Sequence, residues 1–321
     1  MTGTVLVTGA SGLVGRAVVD RLLRDGIEVR ATARSSQAGL PISVELMAGL
    51  DLGNATDWSA ALAGVGTVIH CAARVHVMHE AAAEPLIEFR RVNVGGTVAL
   101  AAQAAGAGVR RFVFVSSIKV NGEHTSRGRP FHVDDVAAPV DPYGISKLEA
   151  EVGLRQVAED TGLEVAVVRP PLVYGPGVKA NFLRMMNWVQ RGIPLPFGSI
   201  DNRRSLVALD NLVDLLLACS RHPAAAGQTF LAGDGEDLST TELLRRIGQA
   251  LGQPARLIPV PMSWLEASFS LMGKRELGRR LCESLQVDIT KTRKLLNWSP
   301  IISPNEALIK TATAFLLAQR R

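Results

Sequence analysis

The chain has 321 residues, 47% of them hydrophobic, enough for one large or two smaller domains with a full core. Its net charge is +5, but Lys and Arg are scattered, mostly as pairs, and only 5% of residues are aromatic; this argues against a base-stacking nucleic-acid surface. Cys71, Cys219 and Cys282 are far apart and odd in number, which fits neither a disulfide framework nor a zinc cluster.

In chain order, Thr4-Val-Leu-Val-Thr8 reads as a buried strand, entered with no basic-then-apolar leader. Gly9-Ala-Ser-Gly12-Leu-Val-Gly15 follows and opens a helix to about Arg24, closed by Gly26. A glycine-rich turn between strand and helix is suited to a dinucleotide. Gly9 permits the turn, Gly12 lets backbone N–H groups approach a pyrophosphate, and Gly15 lets helix and strand pack closely. The contacts expected in this turn are Gly9, Ser11, Gly12, Leu13, Val14 and Gly15. The second strand, Glu28 to Ala33, ends at Arg34, where an NAD site usually places a carboxylate. An Arg there can pair with a 2′-phosphate, so NADPH is favoured over NAD.

Asp51-Leu52 follows a short strand at Val44 to Ala48, with Asp51 placed for the adenine amino group. Thr67 to Ala73 is another buried strand, and small Ala72 and Ala73 let a cofactor lie close. His70 reads as a packed strand histidine. His76 and His79 are three apart without a convincing third ligand, so no metal is expected. A long helix is expected from Glu84 to about Ala107, its Gly95-Gly96 pair packed against the sheet. Asn93 in it is placed to bond the sheet or the cofactor. The strand from Arg111 ends in Ser116-Ser117, on the carboxyl side where doubly wound sheets bind ligands.

Asp141-Pro142-Tyr143-Gly-Ile-Ser-Lys147 reads as a helix start, with Asp141 as cap and Pro142 in the first turn. Tyr143 and Lys147 then share one face, and an ammonium beside a phenol lowers its pKa toward working pH. Such a phenol can move a proton in carbonyl/alcohol chemistry. Glu164 to Arg169 is a further strand, broken by Pro170. Beyond it, Arg203-Arg204-Ser205 precedes an apolar helical run at Asp210 to Cys219. Leu206 to Cys219 carries Asp210 and Asp214 and is too short to cross a bilayer. Ser239-Thr-Thr-Glu242 is a capping box, and Asn305 to Gln319 a closing amphipathic helix. The expected fold is α/β: a doubly wound parallel Rossmann sheet with a smaller, interleaved α/β substrate-binding lobe. The first domain spans 1–170 with a return at 206–225, and the lobe takes 171–205 and 226–321. A soluble cytoplasmic protein, with no membrane insertion and no nucleic-acid partner, is expected.

Together these motifs resemble the extended short-chain dehydrogenase/reductase superfamily, in its nucleotide-sugar epimerase/dehydratase branch. The likeness covers essentially the whole chain. It rests on the glycine turn, Asp51-Leu52, His70-Cys-Ala-Ala73, Asn93-Val-Gly-Gly-Thr97, Ser116-Ser117 with Gly122, Tyr143-x-x-x-Lys147, Arg169-Pro170 and Tyr174-Gly-Pro176. Ser116-Ser-Ile-Lys-Val-Asn-Gly122 with Asp141-Pro-Tyr-Gly-Ile-Ser-Lys147 looks closest to a bacterial surface-polysaccharide subgroup of UDP-sugar 4-epimerases and C4-ketoreductases.

The resemblance implies that Tyr143 exchanges the proton at the sugar C4 oxygen and that Ser117 hydrogen-bonds the same oxygen. Lys147 would hold the nicotinamide ribose, and Asn181 and Arg203 the diphosphate. With the glycine turn, Arg34, Asp51, Leu52, Ala72, Ala73, Asn93, Tyr143, Lys147 and Pro170 complete the cofactor set. A homodimer acting on a UDP-sugar is implied. Asn121 stands where relatives resembling UDP-galactose epimerase have Tyr. The leading expectation is an NADPH-dependent reductase of a UDP-4-keto-6-deoxy-N-acetylhexosamine. The alternative is a 4-epimerase of UDP-glucose or UDP-GlcNAc with bound NAD; a third is a non-catalytic NADP-binding sensor.

Overall fold

The computed structural model describes residues 3–35, 39–53, 56–75, 84–273 and 275–319, so His76 and His79 lie outside the described residues. The first half alternates strand and helix. In chain order it runs β1 (Thr4–Thr8), α1 (Leu13–Arg24), β2 (Val29–Ala33), β3 (Glu45–Ala48), α2 (Ser59–Leu62) and β4 (Val65–His70). Then come α3 (Pro85–Phe89), α4 (Thr97–Gly106), β5 (Arg111–Val115), α5 (Pro142–Thr161) and β6 (Glu164–Arg169). The second half adds β7 (Leu172–Tyr174), α6 (Ala180–Gln190), β8 (Arg204–Ala208), α7 (Leu209–Arg221), β9 (Thr229–Leu231) and β10 (Asp237–Leu238). It closes with α8 (Thr240–Leu251), α9 (Met262–Leu271), α10 (Arg275–Cys282), α11 (Thr290–Leu296) and α12 (Pro304–Gln319).

Seven strands form one sheet in the order β3-β2-β1-β4-β5-β6-β9, every pairing parallel. Parallel strands need crossovers, and the helices that supply them cover both faces. Side-chain alternation along β1 shows the consequence. Val5 and Val7 enter the core beneath α1 and α7, whereas Leu6 enters the opposite core beneath α4 and α5. β9 brings the chain back to this sheet beside β6, beyond the 206–225 return expected. The smaller lobe has a three-stranded sheet, β10-β8-β7, and its own core among α6, α8 and α12.

Two segments differ from the sequence reading. The long helix expected from Glu84 is split by a π-helical stretch, Arg90–Gly96, between α3 and α4. Of the glycine pair expected against the sheet, only Gly96 is closely approached, and by the loop after β3: a side chain on it would collide with the Leu52 carbonyl. The stretch before α7 is a strand, β8, because β7 and β10 pair with it on either side. No described helix is long and apolar enough to cross a membrane.

Candidate active site

The glycine turn leaves β1 at the carboxyl edge of the sheet. Gly9 has φ +67°, and a Cβ there would lie 2.7 Å from Ala72 Cα. A Cβ on Gly15 would lie 2.3 Å from the Gly9 carbonyl oxygen. No other residue type fits either place. Gly12 precedes α1 with no side-chain cap on that helix, and its N–H donates to Gly9 O at 2.9 Å. Backbone N–H groups of the first turn therefore face outward, beside exposed Ser11, while Leu13 and Val14 pack on the core behind them. Exposed Arg34 follows β2, exposed Asp51 and buried Leu52 follow β3, and Ala72 and Ala73 follow β4. The tight turn, the uncapped helix end and the small residues beside it fit a dinucleotide.

Asn93 bonds the loop after β4 rather than a strand of the sheet. It is 1% exposed; its Oδ1 accepts from the Arg74 N–H at 2.8 Å, and its Nδ2 donates to Arg74 O and to Ser146 Oγ, both at 3.0 Å. It pins the loop after β4 to the first turn of α5. His70 is the packed histidine expected, with Thr8 Oγ1 2.7 Å from Nδ1 and Thr97 Oγ1 2.9 Å from Nε2. Burial, and then the charge of Lys147, push its pKa down to about 3.

α5 begins as its sequence dictates. Asp141 Oδ1 accepts from the Gly144 N–H at 2.7 Å, and Pro142 occupies the first turn. Tyr143 and Lys147 share a face, with Lys147 Nζ 5.9 Å from the phenol ring centroid. Lys147 is nonetheless 2% exposed; its ammonium donates to Val115 O at 2.9 Å and lies 4.4 Å from the Phe114 ring centroid. Burial lowers its pKa to about 8, opposed by Cys71 and Glu151. The expectation of a lowered phenol pKa is not met in this arrangement. Surrounding protein pushes Tyr143 up, and the Asp141 carboxylate pushes it further. Ser117 caps a short 3₁₀ turn, Ile118–Val120, its Oγ accepting from the Lys119 N–H at 3.3 Å.

A buried network fixes these hydroxyls, and sequence reasoning missed its centre, Glu151. That residue lies one turn beyond Lys147 and is fully buried. Its carboxylate accepts from Arg169 Nε at 2.9 Å, from Arg169 Nη2 at 2.6 Å and from Ser116 Oγ at 2.5 Å. Arg169 Nη1 donates to Asn121 Oδ1 at 2.9 Å. Both ends of the Ser117 turn are thus tied to the helix that carries Tyr143 and Lys147. The Ile118 N–H also donates to Pro170 O at 3.0 Å.

A cavity of about 360 Å³ lies between the large sheet and the smaller lobe. Ser117, Tyr143 and Pro170 line it from one side, and Asn181, Arg184, Arg204 and Arg279 from the other. Arg203, the residue expected here, does not line it. Side chains alternate along a strand, so Arg204 and Leu206 face the cavity while Arg203 falls outside. Arg204 Nη1 donates to Glu283 O at 2.9 Å, and Arg279 Nε donates to Glu283 Oε1 at 3.0 Å. Arg184 and Arg279 carried no motif signal; Arg204 would have been found by placing β8. Among the described residues no cluster could hold a metal ion.

Residues 5–233 match the model of the NAD dependent epimerase/dehydratase family. A UDP-glucose 4-epimerase from Vibrio cholerae is 46% identical over 326 residues, covering 100% of this chain and 98% of that protein. The Thermotoga maritima UDP-glucose 4-epimerase with UDP-glucose has a TM-score of 0.80 at 23% identity, covering 98% of this chain and 99% of its own. MoeE5 in complex with UDP-glucose and NAD has a TM-score of 0.78 at 25% identity, covering 99% and 100%.

Proposed function

The chain belongs to the NAD dependent epimerase/dehydratase family, and within it we propose a 4-epimerase acting on a UDP-linked hexose with NAD held at the glycine turn. One observation carries this reading: a single cavity is lined by Ser117 and Tyr143 together with Arg184, Arg204 and Arg279. Hydroxyls suit an alcohol that becomes a ketone, and guanidinium groups suit a diphosphate through paired N–H donors. The full-length likeness to the Vibrio cholerae enzyme supports epimerisation over net reduction.

Tyr143 would take the proton of the C4 hydroxyl and give it back to the same oxygen, once the burial and the Asp141 carboxylate that raise its pKa are offset by the positive charge of bound NAD. Ser117 holds that oxygen by a hydrogen bond. Lys147 keeps positive charge one turn beyond the phenol, and its pKa near 8 leaves most of it protonated at neutral pH. Arg204, Arg279 and Asn181 hold the diphosphate, so the hexose can turn without leaving. NAD bound over Gly9, Gly12 and Gly15 would supply hydride acceptance and return at C4.

The test is to purify the protein and measure its nucleotide content and sugar turnover. Interconversion of UDP-glucose and UDP-galactose, with NAD retained and no NADPH consumed, is expected. A second reading, the NADPH-dependent C4-ketoreductase, is favoured by exposed Arg34 after β2, where the sequence Ala33-Arg34-Ser35 has no carboxylate. Stoichiometric NADPH oxidation by a 4-keto sugar, without interconversion, would replace the first reading with the second.

A further inference from the structure

Lys119 links the turn of Ser117 to the cap of the Tyr143 helix, and the chemistry above does not use it. Its side chain lines the cavity. Its backbone N–H donates to Ser117 Oγ. Its ammonium donates to Asp141 Oδ2 and, at 3.0 Å, to Glu123 Oε1. Asp141 is the cap of α5, two residues ahead of Tyr143. A carboxylate at a helix N-terminus favours the helix. The same charge disfavours a phenolate nearby, so the cap that places Tyr143 also opposes its ionisation.

We propose that Lys119 is a positioning residue of the proton-transfer site, joining the serine turn to the tyrosine helix and cancelling the cap carboxylate beside the phenol. The inference rests on the reading that Tyr143 moves the C4 proton. Other charges around Tyr143 do not replace Lys119. On its own helix, Lys147 is turned to Val115 O and the Phe114 face. Arg74 stacks over the Phe89 ring, which itself meets the Tyr143 ring edge-on. In the cavity, Arg204 and Arg279 are bonded to Glu283, and Arg184 lies on α6 in the opposite wall. Glu123 is a second carboxylate on the same ammonium, so removing Lys119 leaves two negative charges without their partner.

The experiment is the pH–rate profile of the purified enzyme, with circular dichroism and thermal midpoint confirming the fold of each variant. Lys119→Met should move the limb on which Tyr143 deprotonates upward by about one pH unit. At pH 7 it should lower kcat about tenfold while KM changes less. Lys119→Arg should titrate like the wild type. Asp141→Asn, which still caps the helix, should move the limb down alone and restore it in the Lys119→Met background. An unmoved limb in folded Lys119→Met, or a shift that Asp141→Asn does not reverse, would overturn the proposal. Tyr143→Phe measured in parallel separates the two levels. If that variant still turns over, the epimerase reading fails; if it is inactive and Lys119→Met titrates like the wild type, only this inference fails.

Discussion

The two walls of the cavity are built differently. On the large-sheet side, Ser117, Lys147, Glu151 and Arg169 are buried, and their polar groups are bonded to backbone or to one another. On the smaller-lobe side, Arg184 and Arg279 are exposed and Asn181 and Arg204 half-buried. Proton transfer depends on distances of a few tenths of an ångström, which a desolvated, fully bonded network can hold. A flexible diphosphate is better met by long side chains that adjust to it. Under the proposed function, chemistry would sit in the buried wall and recognition in the more exposed one.

Substitutions can break that division. The largest effect is expected from Tyr143→Phe, with kcat falling about 10³-fold or more and the thermal midpoint nearly unchanged. Wild-type-like turnover would remove Tyr143 from the mechanism. Next, Glu151→Gln leaves the Arg169 guanidinium buried without its counter-charge. Chemical denaturation should show a loss of about 3–5 kcal/mol, far more than a half-buried charge gives. In the opposite wall, Arg204→Ala should raise KM roughly tenfold or more, with a loss of about 1 kcal/mol in stability from its bond to Glu283 O. Arg203→Ala, one residue away, should stay within about 0.5 kcal/mol in stability and leave KM alone. Equal effects at 203 and 204 would contradict the strand parity that separates them.

A separate, pH-dependent effect concerns His70, on β4 in the large sheet. Its pKa in the folded state is lowered from 6.5 to about 3. The unfolded chain therefore binds the proton first as pH falls below 6.5, and stability is lost between there and about pH 3. His70→Gln removes that contribution. Its unfolding free energy should fall less steeply over this window, as measured by denaturant titration at several pH values.

Much of the rigid wall was legible because its rules are local. Asp141 and Pro142 start a helix through bonds to their own first turn, and the spacing of Tyr143 and Lys147 puts them on one face. The Ser239 cap accepts from the Glu242 N–H as half of the capping box, while the Glu242 carboxylate turns to Arg246. Glu151 was not legible. In sequence it is one more helical glutamate, and only Arg169, arriving on β6 from 18 residues away, makes it the centre of a network. The choice between Arg203 and Arg204 was equally closed. Their side is fixed by the register of β8 against β7 and β10, and a one-residue slip would reverse it.

By itself, the sequence determined the glycine cradle, the alternating strand–helix order and the Tyr143–Lys147 helix, since each follows from backbone sterics and hydrogen bonds within a few residues. Tertiary structure alone decided which groups lose water. That choice buried Lys147 against Val115 and Phe114, raised the Tyr143 pKa beside Asp141 and turned Arg204 rather than Arg203 into the cavity. Desolvation and strand register depend on residues far apart in the chain, and no local pattern carries them.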